Sequence, residues 1–378
     1  MAISTSISLD RLSRVLGYGL KKGNFQSTTR NLPQRIAILA EANTANQSGL
    51  DFLPEEITTA RQAAELYGYG SPVHQIMRIL RPVQGGGVGS IPTVVYPQEE
   101  AGSAVAAART ITVTGTATAS ARHTLVVNGR TNVDSSFYNV DIVTGDDDQA
   151  IAAKINTAIN AVLGAPVSST VFAGVVTATT KWKGASSDEL TIEVKTNGTA
   201  AGVTYAVASS ATGSGTADIA DALAAFGSAW NTIVINSYNS SAILTALETA
   251  NGKASADTPT GRYTANLFKP FVALFGSKAT TVTAIKAITD ARLNEMTNVL
   301  CPAPGSTGWS WEAAANAAAL IAPVMNDTPH LDISGKMYPD MPTANSAGEF
   351  ALYDNRDAMA KAGSSTVDLV DGKYQVQD

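Results

Sequence analysis

Residues 109–129 (RTITVTGTATASARHTLVVNG) alternate Thr and Val with other side chains, and this period of two is typical of β-strands. A helix-like segment follows at 148–163 (DQAIAAKINTAINAVL), and residues 169–198 return to Thr- and Val-rich strands punctuated by Gly, Asn and Ser. We therefore predict an inserted β-rich outer domain at 101–216, which folds on its own and faces outward.

The stretches on both sides of this region have a different pattern, in which short apolar strands alternate with Ala- and Leu-rich helices. Strands are predicted at 34–40, 91–96, 230–235 and 271–275, and helices at 60–68, 73–82, 218–226, 240–250, 281–288 and 311–321, the last ending near Pro323. The predicted class is α+β and multidomain. A discontinuous α/β core (32–100 and 217–378) carries the insert and follows an extended N-terminal arm (1–31).

Local signals place several boundaries. Thr59 with Gln62 matches a capping box, and Ser71-Pro72 matches an N-cap followed by proline in the first turn. Asp146, Asp147 and Asp148 precede the helix of the insert, where carboxylates stabilise exposed N–H groups, so capping is favoured over a cation site.

Two strand-like segments near the chain ends are candidates for subunit contact. Ile3, Ile7 and Leu9 alternate with polar residues and lack a local partner strand, so they form either a docking arm or a frayed terminus. At the other end, Asp371-Gly372 predicts a hairpin between 366–370 and 373–377. Tyr374 and Val376 lie on its second strand, whose far edge we expect to be open to following residues or a neighbour's arm.

The composition argues against several classes of protein. Only 15% of the 378 residues are charged, against about 25% in a typical protein. The neutral, small-residue surface that this implies favours contact between subunits. The net charge of −6 argues against binding to nucleic acid, and neither a secretion signal nor a membrane span is recognised, so we expect a soluble cytoplasmic product.

No pattern of catalytic, cofactor-binding or metal-binding residues is recognised, and we predict a protein that is not an enzyme. Cys301 is a single cysteine in an apolar run, and His74, His123 and His330 form no ligand pair. The Gly-rich runs at 68–70 and 85–89 lack the strand-then-helix context of a phosphate loop. The carboxylates are scattered along the sequence, so a hydrolase that uses a pair of carboxylates is not excluded.

Four segments give the chain a family resemblance. They are PQRIAILAEAN (33–43), YGYGSPVHQIMR (67–78), WNTIVINSYNSSAILTALE (230–248) and NEMTNVLCPAPGSTGWSWEAAANAAALIAP (294–323). Their order resembles that of the contractile tail sheath proteins of Mu-like myophages. Family members extend about another 100 residues beyond the equivalent of Asp378, so the chain is expected to be a fragment or a short variant lacking the family's C-terminal part.

The resemblance implies a structural subunit of the virion tail that is assembled in the host cytoplasm. Such subunits form hexameric rings stacked helically around the inner tail tube, between the baseplate and the tail terminator. They are joined by exchanged terminal strands, and their contraction drives the tube through the host envelope. Direct binding to nucleic acid and membrane insertion are not implied.

Two other functions stay open from the residues. A virion decoration or adhesin-like module would use the β-rich insert to bind host glycans, and Phe137, Tyr138 and Trp182 are its candidate exposed aromatics. A carbohydrate-active enzyme on a β scaffold is the third possibility. Trp309 and Trp311 are predicted to be core residues at the start of a helix, with a buried subunit interface as the alternative.

Overall fold

A computed structural model describes residues 34–255, 258–264, 267–292 and 297–377. The predicted N-terminal arm, with Ile3, Ile7 and Leu9, lies outside the described residues. The strands of the described residues are β1 Ile36–Glu41, β2 Glu55–Glu56, β3 Thr93–Gln98, β4 Ala108–Thr114, β5 Ala121–Val127, β6 Asn132–Val133, β7 Ser136–Phe137, β8 Asn139–Ile142, β9 Val167–Phe172, β10 Val175–Thr180, β11 Ile192–Lys195, β12 Thr204–Ala211, β13 Ile233–Asn236, β14 Val272–Ser277, β15 Asn298–Pro302, β16 Val367–Val370 and β17 Lys373–Val376.

The helices of the same residues are α1 Thr44–Gln47, α2 Ala60–Tyr67, α3 Pro72–Leu80, α4 Asp148–Ala161, α5 Ala220–Ala225, α6 Ser241–Asn251, α7 Val282–Thr289, α8 Ser310–Asp327 and α9 Tyr353–Lys361. Helices and several separate sheets occur together, which confirms the predicted α+β class.

The core sheet has six strands in the order β15-β14-β13-β1-β3-β2. All neighbours run parallel except the short β2, which pairs antiparallel with β3. Every residue of β1 and β13 is buried, because a parallel sheet is covered on both faces. The sheet joins strands from either side of the predicted insert, since β1 pairs with β13 in the register Ile36 to Ile233.

The strands between residues 108 and 211 form sheets of their own. One has the order β12-β4-β10-β9 and another the order β11-β5-β8, and α4 packs against strands of both sheets. Ile151, Ile155 and Ile159 of α4 are fully buried. The boundaries 101–216 and the independent folding of this region stay predictions.

One edge of the four-stranded sheet is closed by a side chain. The amide of Asn160, on α4, accepts a hydrogen bond from the backbone N–H of Ser169 at 3.0 Å and donates one to its C=O at 2.9 Å. The amide thus takes the place of a neighbouring strand at Ser169 of β9, which lowers the tendency of this part of the edge to pair with another chain.

The predicted N-caps at Thr59, Ser71 and Asp147 agree with the structure, but the capping box is incomplete, since the side chain of Gln62 accepts from the N–H of Thr58. The hydroxyl of Thr59 accepts from the N–H of Gln62, that of Ser71 accepts from the N–H of His74, and the carboxylate of Asp147 accepts from the N–H of Ala150. These caps satisfy N–H groups that have no partner within their helices. The prediction that acidic residues cap α4 is therefore confirmed.

The predicted end of the Ala-rich helix near Pro323 is wrong, because α8 continues through this proline to Asp327. Proline removes one helical N–H and crowds the preceding turn. Here it lies in the last third of the helix, where Leu320, Ile321 and Val324 are only partly buried. None of the helices in the described ranges is long and apolar enough to cross a membrane.

Candidate assembly surfaces

The predicted C-terminal hairpin is present. β16 and β17 pair antiparallel with Val370 opposite Lys373. The turn residues Asp371 and Gly372 have φ angles of 50° and 70°, and two positive φ values are the geometry of the tight hairpin turn that Asp-Gly favours.

Tyr374 and Val376 are buried within this chain. The hydroxyl of Tyr374 donates to the C=O of Pro304 at 2.8 Å and accepts from the N–H of Ala344 at 3.2 Å. Both side chains therefore hold the hairpin against its own core. A role of these two residues in contacts between subunits stays a prediction.

The expectation that the far edge of β17 is open is wrong. The N–H of Gly335 donates to the C=O of Val376, the N–H of Val376 to the C=O of Lys336, and the N–H of Tyr338 to the C=O of Tyr374. Residues 335–338 form only an isolated bridge with β17. Their sequence lacks the alternation that would have marked a third strand.

The open edge of the hairpin lies on β16 instead. Gln377 donates to the C=O of Thr366, and alternate residues of an antiparallel strand point to opposite sides, so the backbone groups of Val367 and Leu369 face away from β17. No described backbone group bonds to them, but Val367 is fully buried, so only Leu369 lies at an accessible part of this edge. The carboxylate of Asp368 is held by Arg356 at 3.1 Å, which fixes the strand beside α9.

The intervening β-rich region and the core sheet share a buried contact, which we call the seam. Its centre is an aromatic cluster: Trp309 and Trp311 stack at 5.8 Å, and Trp182 of the β-rich region meets Trp309 edge-on at 5.1 Å. All three indoles are buried. The prediction that Trp309 and Trp311 are core residues is confirmed, and their partner comes from the other side of the seam.

The adhesin-like alternative loses two of its candidate aromatics. Trp182 and Tyr138 have 0% exposure, whereas Phe137 is 57% exposed. The expectation of solvent-exposed rings is therefore wrong for Trp182 and Tyr138. Trp182 is covered because it packs against Trp309 and Trp311 of the core.

A buried ion-pair network forms a second part of the seam. Arg130 donates to Glu312 at 2.9 Å and to Asp340 at 2.8 Å. Although burial opposes its charge, the two carboxylates raise the pKa of Arg130. Glu312 also accepts from the N–H of Trp309 at 3.2 Å and so caps α8.

A glycine permits the close approach of Arg130. A Cβ atom on Gly129 would lie 2.3 Å from the hydroxyl of Thr307 and 2.6 Å from Cβ of Pro342. Its φ is also positive, at 73°. Only glycine satisfies both conditions without strain.

The seam covers the carboxyl ends of the core strands, where open α/β sheets usually bind ligands. Ser186 donates to Glu41 at the end of β1 at 2.9 Å, and Glu189 accepts from the N–H of Ser310. Lys278, just after β14, lies 3.4 Å from Glu189. Side chains of the β-rich region thus occupy the crevice that a substrate would need.

Two of the histidines and the single cysteine noted in the sequence are buried within the fold. Nδ1 of His74 accepts from the N–H of Gly70, and burial lowers the pKa of His74 to about 4. The ring of His123 bonds Tyr205 and the C=O of Thr199. Burial raises the pKa of Cys301 to about 12, which leaves an unreactive thiol. In the described part of the chain no three His, Cys, Asp or Glu side chains form a group that could hold a metal ion.

Sequence reasoning missed Glu41 and the Arg130–Glu312 pair. Glu41 follows the apolar run of β1, and an acidic residue at the end of a buried strand is a signal that could have identified it. Arg130 and Glu312 carry no such local signal.

Comparisons with known proteins give one related sequence. The Mu-like prophage FluMu tail sheath protein of Haemophilus influenzae is 24% identical over 194 residues, which are 50% of this chain and 38% of that protein. The chain therefore spans well under half of that relative's length. No family model matches. Among solved structures, the D2–D3 domains of the Escherichia coli flagellar cap protein FliD align with 32% of this chain and 80% of theirs, at 20% identity and a TM-score of 0.16, too low to support an inference.

Proposed function

We infer from the relationship of this chain to the tail sheath proteins of Mu-like phages that it has a structural role in a phage tail, and we propose that it is a subunit of a contractile sheath. Subunits polymerise around the inner tail tube as hexameric rings stacked helically, between the baseplate and the tail terminator. Contraction of the sheath drives the tube through the host envelope. The protein assembles in the host cytoplasm and belongs to the virion tail.

The outer edge of β16 is the observation that supports assembly by strand addition. Leu369, which is partly exposed, presents backbone groups that no described backbone group pairs, on a hairpin whose other edge is already covered. An unpaired edge accepts a strand from another chain through main-chain hydrogen bonds. We propose that a terminal strand of a neighbouring subunit occupies it, and that the arm with Ile3, Ile7 and Leu9 supplies such a strand.

A structural role also agrees with the filled crevice of the core sheet. Trp182, Ser186 and Glu189 of the β-rich region pack where an α/β enzyme would leave room for substrate. This arrangement favours a rigid body over a catalytic one.

Electron microscopy of the purified full-length gene product, expressed with and without residues 1–26, tests the proposal, whereas residues 1–378 alone are expected to form a monomer or an ill-defined oligomer. We expect rings or long tubes from the protein with the segment, and soluble folded subunits without it. Circular dichroism checks that the shortened protein is folded. Glycan binding by a protein that never assembles would instead support the adhesin-like alternative.

A further inference from the structure

Glu41 is a buried carboxyl group at the seam that has no ionic partner. It is the last residue of β1 and is 1% exposed. Oε1 accepts a hydrogen bond from the Ser186 hydroxyl at 2.9 Å, whereas Oε2 has no hydrogen-bond partner. No lysine, arginine or histidine of the described ranges forms a salt bridge with Glu41. An ionised carboxylate in this position would be strongly disfavoured.

The groups around Glu41 are polar but mostly uncharged. Directly after β13, the buried hydroxyl of Ser237 has no hydrogen-bond partner, and the hydroxyl of Tyr238 lies beside the Glu41 carboxyl group without hydrogen-bond geometry. Both residues line a cavity of about 40 Å³ together with Ser186, Ser240 and the charged Glu189. This volume is large enough for ordered water, and the cavity contacts Ser186, the hydrogen-bond donor of Glu41, rather than Glu41 itself.

The charged residues near this point do not neutralise Glu41. Glu100, from the segment after β3, accepts hydrogen bonds from the Thr44 hydroxyl and the backbone N–H of Lys183, and its charge opposes that of Glu41. Further along the seam, Glu189 and Lys278 face each other. Tyr238 stays neutral, because burial and the nearby carboxyl groups raise its pKa.

Ser186 connects Glu41, on the core sheet, to the β-rich region. Its hydroxyl donates to Glu41 and accepts from the indole N–H of Trp182 at 3.1 Å. The chain Glu41–Ser186–Trp182 therefore connects the end of β1 to the aromatic cluster. We propose that Glu41 is a proton-dependent latch, which holds the β-rich region against the core sheet while protonated and loosens that contact when it ionises.

The direction of the pH effect follows from burial. Burial raises the pKa of Glu41 to about 7, with a smaller contribution from Glu100, while hydrogen bonds oppose the rise. In the unfolded or opened state the group has an ordinary pKa near 4.5. The folded form therefore binds the extra proton between these two values. The stabilisation by protonated Glu41 is complete below about pH 4.5, decreases as the pH rises through 7, and is lost above that value.

Hydrogen exchange measured by mass spectrometry from pH 5.5 to 8.5, corrected for intrinsic exchange rates, tests the latch. We expect residues 182–190 and 236–241 to lose protection several-fold as the pH rises. Glu41→Gln mimics the protonated acid and should remove this dependence. Glu100→Gln is the matched control and should retain it. Identical pH profiles for the natural protein and Glu41→Gln would overturn the proposal.

Infrared spectroscopy of the natural protein is a second test, which does not require that Glu41→Gln folds. A protonated carboxyl band should disappear between pH 6 and 8. In Ser186→Ala, which lacks the hydroxyl that stabilises the ionised form, its midpoint should move to higher pH. Absence of that band at pH 6 in the natural protein would contradict the latch.

Discussion

Arg130 and Glu312 are 182 positions apart in sequence, yet their side chains form a buried ion pair of 2.9 Å. Arg130 belongs to the β-rich region, and Glu312 lies in the first turn of α8, which packs on the core sheet. This pair and the tryptophan cluster hold the β-rich region against the core sheet. A region that looks like a separate module in sequence is therefore attached by a buried contact rather than by its two linkers alone.

Replacement of Arg130 by methionine should destabilise the protein by about 3–5 kcal/mol, because it leaves the Glu312 carboxylate buried without its partner. The free energy of unfolding in urea measures the loss. The double variant Arg130→Met with Glu312→Gln should recover part of it. Arg122→Met, at the exposed pair with Asp141, is the control and should change stability little. Equal losses for the two single variants would refute the role of the buried pair.

Trp182→Ala should cost about 3–5 kcal/mol, since it leaves a cavity against Trp309 and Trp311. Near-ultraviolet circular dichroism should report the loss of the ordered cluster, and thermal unfolding the loss of stability. Trp182→Phe keeps most of the apolar contact and should lose less. Phe137→Ala, at an exposed ring, serves as the control. A Trp182→Ala protein as stable as the Phe137→Ala protein would show that the seam does not depend on this indole.

Leu369→Pro should prevent assembly while leaving the subunit folded. The N–H of Leu369 points away from β17 and bonds only the side chain of Asp368, so proline removes no ladder bond of the hairpin but blocks an added strand. Leu369→Val keeps the N–H and is the matched control. Electron microscopy of both variants, made in the full-length gene product, gives the answer, and normal tubes from Leu369→Pro would place strand addition elsewhere.

His74→Gln should remove one source of acid sensitivity. Burial lowers the pKa of His74 to about 4 from an ordinary value of 6.5. The unfolded state therefore binds more protons between these values, and stability is lost as the pH falls through this window, by up to about 3 kcal/mol. Urea unfolding of both proteins at pH 4.5 and pH 7 gives the comparison. If the natural protein and His74→Gln lose equal stability on acidification, His74 is not the cause.

Local features of the fold could be predicted because their signals lie within a few residues. Thr59, Ser71 and Asp147 each satisfy an N–H three positions ahead, and the Asp371-Gly372 turn joins adjacent strands. Such short-range chemistry can be recognised from the residues alone. The continuation of α8 through Pro323 could not, because packing and partial exposure decide whether a helix tolerates proline.

The sequence alone determined the α+β class, the change of pattern at the β-rich region and the resemblance to tail sheath proteins, since composition and periodicity encode which faces are apolar. Only the tertiary structure decided that Trp182 is buried, that residues 335–338 cover β17, and that Glu41 lacks an ionic partner. Each of these depends on groups brought together from distant parts of the chain. Burial and pairing between such groups follow from how the elements pack, which no local pattern specifies.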